Sequence, residues 1–224
     1  MAGKSGLEHG EFSRRWRAAA AAANAAPEPA RPVRITVSTA LREVDPDQRY
    51  DGVALEWFTD MAHLHRFEAW LRTPDGQLPV RLLAEAAQPG ASPVVIADER
   101  VARGADWLAG RWRDAGPKIK QLALARRADG LTLPQFLDLW RSRAGKIGAV
   151  PIPGPLRGLA YVQNHPRVMA GRDWAYDAIN EVYFDDAGGL LARMAYFERE
   201  LAGGGENDLV GANWFLAVRE ELIE

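Results

Sequence analysis

The sequence predicts an α+β protein: two tandem ferredoxin-like units of the split-βαβ kind, the first lacking its first strand. Three observations lead there. The stretch YDGVALEWF at 50–58 returns as YDAINEVYF at 176–184, so that Tyr50, Asp51, Val53 and Phe58 are answered by Tyr176, Asp177, Ile179 and Phe184. GLEHGEFSRRW at 6–16 returns as GLTLPQFLDLW at 130–140, keeping Gly-Leu, Phe and Trp at the same spacing. The two matches come in the same order at nearly the same separation, which marks an internal repeat. Finally, the hydrophobic period in the second copy switches between strand and helix in the order β-α-β-β-α-β.

Taken in chain order, the first copy (1–99) supplies a helix over about 8–24 and strands over about 32–40 and 50–58. A helix over about 60–72 and a strand in PVVIADE (93–99) follow. Only MAGKS stands where the second copy has its opening strand. A start upstream of Met1, a strand donated from elsewhere and a rearranged first sheet would each account for that; the expectation adopted is an upstream start. Residues 100–116, with Trp107 and Trp112, read as a bridging helix between the copies.

The second copy (117–224) opens on PKIKQLALARR as a strand with Ile119, Leu122 and Leu124 as its apolar positions. Thr132 is placed to cap the next helix, and Pro134 is tolerated in a first turn, where backbone N–H groups lack helical partners. Phe136, Leu139 and Trp140 share a helical face. Gly145 and the PIPGP cluster end that helix. LAYVQNH (159–165) and the Tyr176 segment are strands, joined through a loop containing Gly171. Leu190, Leu191, Met194 and Phe197 restore the helical period, and GGGEND breaks the chain before a last strand, NWFLAVREEL.

Composition narrows the function classes. With 224 residues, 47% hydrophobic and 26% charged, the chain is that of an ordinary globular protein able to bury a core. A net charge of −2 without like-charge runs offers no field for nucleic acid or an anionic membrane. The absence of cysteine removes disulfides, thiolate metal sites and thiol nucleophiles, and suits the cytoplasm. SRRWRAAAAAANAAPEPA (13–30) imitates a twin-arginine signal, but its alanines favour a helix and it lies inside the repeat. No apolar stretch approaches the ~18 residues of a membrane span.

The residues LALARRADGLTLPQFLDLW, YVQNHP and YDAINEVYF resemble the EthD family of the dimeric α+β barrel superfamily. The resemblance covers most of the chain as two tandem units, the second much closer. It implies a barrel closed within the chain as a pseudo-dimer, with a homo-oligomer left open, and a small organic substrate held between sheet and helices. It also implies chemistry that needs no cofactor: family members include ether-degradation proteins, decarboxylases, dehydratases and polyketide cyclases. The chain departs from the family where a helix histidine would stand, with Ala144 and Ala20 in that slot. The QNH stretch of the family is present as Gln163, Asn164 and His165, in the second copy alone.

Candidate chemistry therefore concentrates in the second copy. His165 ends a strand before Pro166 and is suited to general-base work near neutrality; the plainer alternative is a histidine bonded to a loop carbonyl. Alternation puts Asp177, Ile179, Glu181 and Tyr183 on one face. Glu181 replaces Leu55 of the first copy, and a carboxylate among apolar neighbours has a raised pKa suited to proton shuttling. Asp177 orients, or serves as a cross-strand partner. Tyr161, Gln163, Asn164, Tyr176 and Trp214 complete the set as substrate contacts, while Trp16 and Trp140 read as core. His63 and His65, two apart on a helix, make a poor metal pair, and no metal site is expected.

The expected activity is a cofactor-independent lyase-, cyclase- or degradation-type step on a small apolar or aromatic molecule. Two alternatives stand beside it: a non-catalytic ligand-binding or assembly protein, and a cofactor-independent monooxygenase.

Overall fold

The alanine-rich segment after His9 folds as α1 (His9–Asn24), whose buried stripe of Phe12, Trp16, Ala19, Ala20 and Ala23 follows the helical period. The computed structural model describes residues 1–113, 116, 118–142, 146–147, 150–202 and 209–224. Pro117, Ala144, Gly145 and the 203–208 stretch, which the sequence reading used, lie outside the described residues. Among those described, the chain is mixed α+β and divides into two compact units.

The first unit comprises 1–40, 49–93 and 219–224. Its β1 (Arg34–Ala40) and β2 (Gly52–Trp57) are antiparallel, with Thr36 opposite Leu55. Ile35 and Val37 of β1 pack with Phe12 and Trp16 of α1 in one apolar cluster. Trp16 lies so close over Gly52 that a Cβ there would come within 1.8 Å of the indole. The helix expected over 60–72 is α2 (Met61–Leu71), with the Asp60 carboxylate accepting from the His63 N–H at 2.7 Å. A helix that periodicity had not suggested, α3 (Gln77–Ala86), follows it. His63 is a structural residue, its Nε2 2.7 Å from the Arg31 carbonyl.

The second unit comprises 41–48 and 94–218. Here the expectation of a bridging helix over 100–116 needs correction. β3 occupies Ala97–Arg103, pairing antiparallel with a later strand, and among the described residues of 100–116 only Ala105–Gly110 is helical (α4). Gly104 makes the change of direction, at φ +77°, a conformation glycine adopts without the Cβ clash.

β4 (Lys118–Arg127) leads into α5 (Leu133–Ser142), capped as expected: Thr132 Oγ1 accepts from Gln135 N–H, and Gln135 Oε1 accepts from Thr132 N–H at 2.9 Å. A two-residue pairing, β5 (Lys146–Ile147) with β6 (Val150–Pro151), precedes β7 (Ala160–Pro166) and β8 (Ala178–Phe184). α6 (Ala187–Ala202) and β9 (Val210–Ile223) end the chain. β9 belongs to the second unit up to Val218 and to the first from Arg219 on.

Strand order in the second unit is β9-β4-β8-β7-β3, and in the first β2-β1-β9. One face of the second unit's sheet carries α5 and α6, through clusters around Ala125, Phe136 and Ala178 and around Val182, Phe184 and Leu190. The opposite face carries α4, through Leu108, Ala160, Val162 and Tyr183.

The two look-alike segments around Asp51 and Asp177 make matching hydrogen bonds. In the second unit, Asp177 N–H donates to the Ala125 carbonyl and the Asp177 carboxylate accepts from Arg127 N–H at 2.9 Å. In the first, Asp51 N–H donates to the Met1 carbonyl and its carboxylate accepts from Gly3 N–H at 2.7 Å. Met1–Gly3 thus make the bonds of the last three residues of β4.

Candidate functional site

Strand pleating sorts the candidate residues onto two faces of the second unit's sheet. On the face that carries α4, Lys120 stands opposite Tyr183 and Leu122 opposite Glu181. Lys120 Nζ lies 2.6 Å from Glu181 Oε2, with the two side chains 0% and 1% exposed. Asn164 Nδ2 donates to Glu181 Oε1 at 2.8 Å, and the Tyr183 hydroxyl donates to Oε2 at 3.1 Å. The Trp107 ring packs on the Tyr183 ring, 5.2 Å between centroids.

Burial alone pushes the Glu181 carboxyl up. The Lys120 ammonium, with hydrogen bonds from Lys120, Asn164 and Tyr183, outweighs it and holds the pKa below the ordinary carboxylate value. The raised pKa expected for Glu181 is therefore not found. Its carboxylate is ionised and saturated by donors, a poor proton shuttle but a firm anchor. Asn164 is spent on the same group.

Asp177 lies at the mouth of β8, its carboxylate accepting from both the backbone N–H and the guanidinium of Arg127. That is the cross-strand alternative of the sequence reading. Tyr176 and Trp214 meet edge to face, 5.5 Å between centroids.

The face toward α5 and α6 is built differently. Tyr161, Gln163 and His165 alternate along β7 and share it, with Asn180 opposite Gln163 on β8. Gln163 Nε2 donates to the Tyr161 hydroxyl at 3.1 Å, and Arg100 of β3 donates to Gln163 Oε1 at 3.1 Å. Trp140 of α5 donates its indole N–H to Asn180 Oδ1 at 3.1 Å. Trp140 is thus a polar contact over the sheet as well as a packing residue. Arg193 of α6 donates to Gln121 Oε1 at 2.8 Å and to the Leu156 carbonyl at 2.8 Å.

His165 is 6% exposed, and its Nε2 is buried without a hydrogen-bond partner among the described residues. Desolvation first, then the Arg141 and Arg100 charges, lower its pKa against an opposing pull from Asp98. The imidazole is therefore neutral at neutral pH, with Nε2 uncommitted among the described residues. His165 and Glu181 face opposite sides of the sheet, so they do not act on one reacting atom.

The chain matches no protein-family model, no curated protein and no solved structure. Its site is therefore argued from its own residues. Among the described residues, no group of three or more His, Asp or Glu is placed to hold a metal ion. No described helix is long and apolar enough to cross a membrane.

Sequence reasoning missed Lys120, Gln121 and Arg193. Each left a signal. Lys120 and Gln121 are consecutive polar residues inside the apolar strand KIKQLAL, and both are buried. Arg193 sits one turn after Leu190 on the inward stripe of α6, where an aliphatic residue would ordinarily stand.

Proposed function

We propose that the second unit is a small-molecule enzyme site of EthD-like, ferredoxin-like type, with the ligand held between sheet and helices and His165 as the general base. The observation that carries this reading is the buried, neutral His165 with an unpartnered Nε2. A buried polar atom left unsatisfied is costly, and such atoms are few in native proteins. A weakly acidic C–H or O–H of a ligand would satisfy it and be deprotonated by it.

The reading of two ferredoxin-like units, one per copy, draws support from the order β4-α5-β7-β8-α6-β9 of 118–223, with the short β5–β6 pairing between α5 and β7, and from the matching Asp51 and Asp177 bonding. The substrate class is a small apolar or aromatic organic molecule, and the step a lyase-, cyclase- or degradation-type proton transfer needing no cofactor. Tyr161, Gln163 and Asn180 orient the ligand, with Trp140 over it. Glu181, Asn164 and Asp177 hold the framework.

A second reading, a ligand-binding protein without catalysis, draws on Glu181 and Asp177 both being engaged by basic partners. Hydrogen–deuterium exchange at the acidic C–H of small aryl β-ketoesters separates the two. The wild type is expected to accelerate exchange, and His165→Gln to lose roughly 100-fold or more of that acceleration, the usual scale for a general base. Because the His165 pKa is lowered, the neutral base persists as pH falls below the ordinary imidazole value of 6.5, so the acid limb of the rate profile lies below that value. An exchange rate equal in wild type and His165→Gln removes the enzyme reading and leaves the binding one.

A further inference from the structure

The second unit gathers four arginines that have no carboxylate partner among the described residues. Arg193 is 7% exposed; it donates to an amide oxygen and a backbone carbonyl and lies over the Phe197 ring, 4.5 Å from its centroid. Arg103 of β3 donates to the carbonyls of Gly158, at 2.8 Å, and Arg157. Arg157 donates to the Ile152 carbonyl at 2.7 Å. Arg100 donates to the Gln163 amide oxygen. Every acceptor is uncharged.

These four are one neighbourhood. Arg193, Arg103 and Arg157 all hold the 152–158 turn through its carbonyls. The charges of Arg193 and Arg100 both reach Tyr161, and those of Arg103 and Arg157 oppose each other. A guanidinium carries five N–H donors, so one or two carbonyl bonds leave donors to spare on each. Gln121 gives its oxygen to Arg193, and its buried Nε2 has no partner among the described residues.

Buried charges are ordinarily paired, because an isolated ion in a low dielectric is costly and like charges repel. A turn could be held by one arginine. Four, graded from exposed Arg100 and Arg157 through half-buried Arg103 to buried Arg193, make an electropositive path that ends on spare donors. Planar guanidinium groups match the oxygens of carboxylate and phosphate.

We propose that Arg193, Arg103, Arg157 and Arg100, with Tyr161 and Gln121, form an oxyanion site that takes the carboxylate or phosphate of a small ligand. The inference rests on this face of the sheet being the ligand site, and it adds the ligand's charge: the molecule is an anion. Its anionic group sits over Arg193 and Gln121, displaced along β7 from His165.

The test is a titration of the full chain, followed by NMR or calorimetry, with inorganic phosphate, benzoate and neutral benzamide. Saturable binding of phosphate or benzoate, but not benzamide, is expected, weakening as salt is raised. Phosphate preferred over benzoate identifies a phosphate ligand, and the reverse a carboxylate. Arg193→Gln should weaken binding tenfold or more. Because that buried residue also supports the turn, Arg157→Ala and Gln121→Leu provide further tests, each expected to weaken binding several-fold in a folded protein. Loss of exchange catalysis in His165→Gln tests the general base, and loss of phosphate or benzoate binding in Arg157→Ala tests the oxyanion site, so the two failures are read separately. Absence of saturable binding in the wild type, or affinity unaltered in folded Arg157→Ala and Gln121→Leu, overturns the proposal.

Discussion

Glu181 illustrates how a single partner reverses a residue's chemistry. A lone carboxylate on that strand would be protonated more readily than usual, whereas Lys120, 61 residues earlier, keeps it charged. Such a buried pair contributes little against a well-packed apolar replacement, but removing one member strands the other. Glu181→Gln is therefore expected to cost about 3–5 kcal/mol in denaturant unfolding, with Lys120 left uncompensated. The double change Lys120→Met with Glu181→Leu should recover most of that loss. Acid works in the same direction: a carboxylate pKa lowered in the fold stabilises at neutral pH, and this stability is lost as pH falls through the folded-state value below 4.5. A double variant no more stable than Glu181→Gln would show that the network, not the stranded charge, sets the cost.

At the scale of elements, the two copies solve one packing problem in two ways. The helix tryptophans align as Trp16 and Trp140, and the strand positions beneath them as Gly52 and Ala178. Trp16 is buried in close contact with Gly52, which the absent Cβ permits. Trp140 remains partly buried and turns its N–H to Asn180. Gly52→Ala should thus destabilise the first unit by about 1–3 kcal/mol, the range for overpacking a tight core, as read from its unfolding midpoint. An unchanged midpoint would mean that Trp16 moves aside freely. The helix over 77–86 escaped sequence reading because Pro79 and a preceding Thr-Pro-Asp-Gly turn disguise its period.

For the whole molecule, the final strand contributes to both compact units, up to Val218 to the second and from Arg219 to the first. Residues 219–224 serve the first unit: Thr36 donates to Glu220 at 3.0 Å, and Arg17 pairs with Glu221 at 2.6 Å. Ending the chain after Val218 is expected to raise hydrogen-exchange rates of the β1 amides roughly tenfold or more, since they lose a neighbouring strand. Protection of β1 equal to that of the full chain would assign its stability to β2 and α1 alone.

By itself the sequence determined the mixed α+β class, most of the helices and strands and the Thr132 cap. Those features are written in short-range periods and turn residues, which the backbone obeys locally. The faces of β8 were legible as well, because alternation is a property of any strand. Only the tertiary structure decided what each face meets. Lys120 against Glu181, Arg127 against Asp177, and Trp214 against Tyr176 are pairings between distant elements, and they fix ionisation and availability. Only there, too, did four arginines spread over a strand, a turn and a helix become one cluster. Which charges meet is a matter of neighbours in space, which sequence order does not reveal.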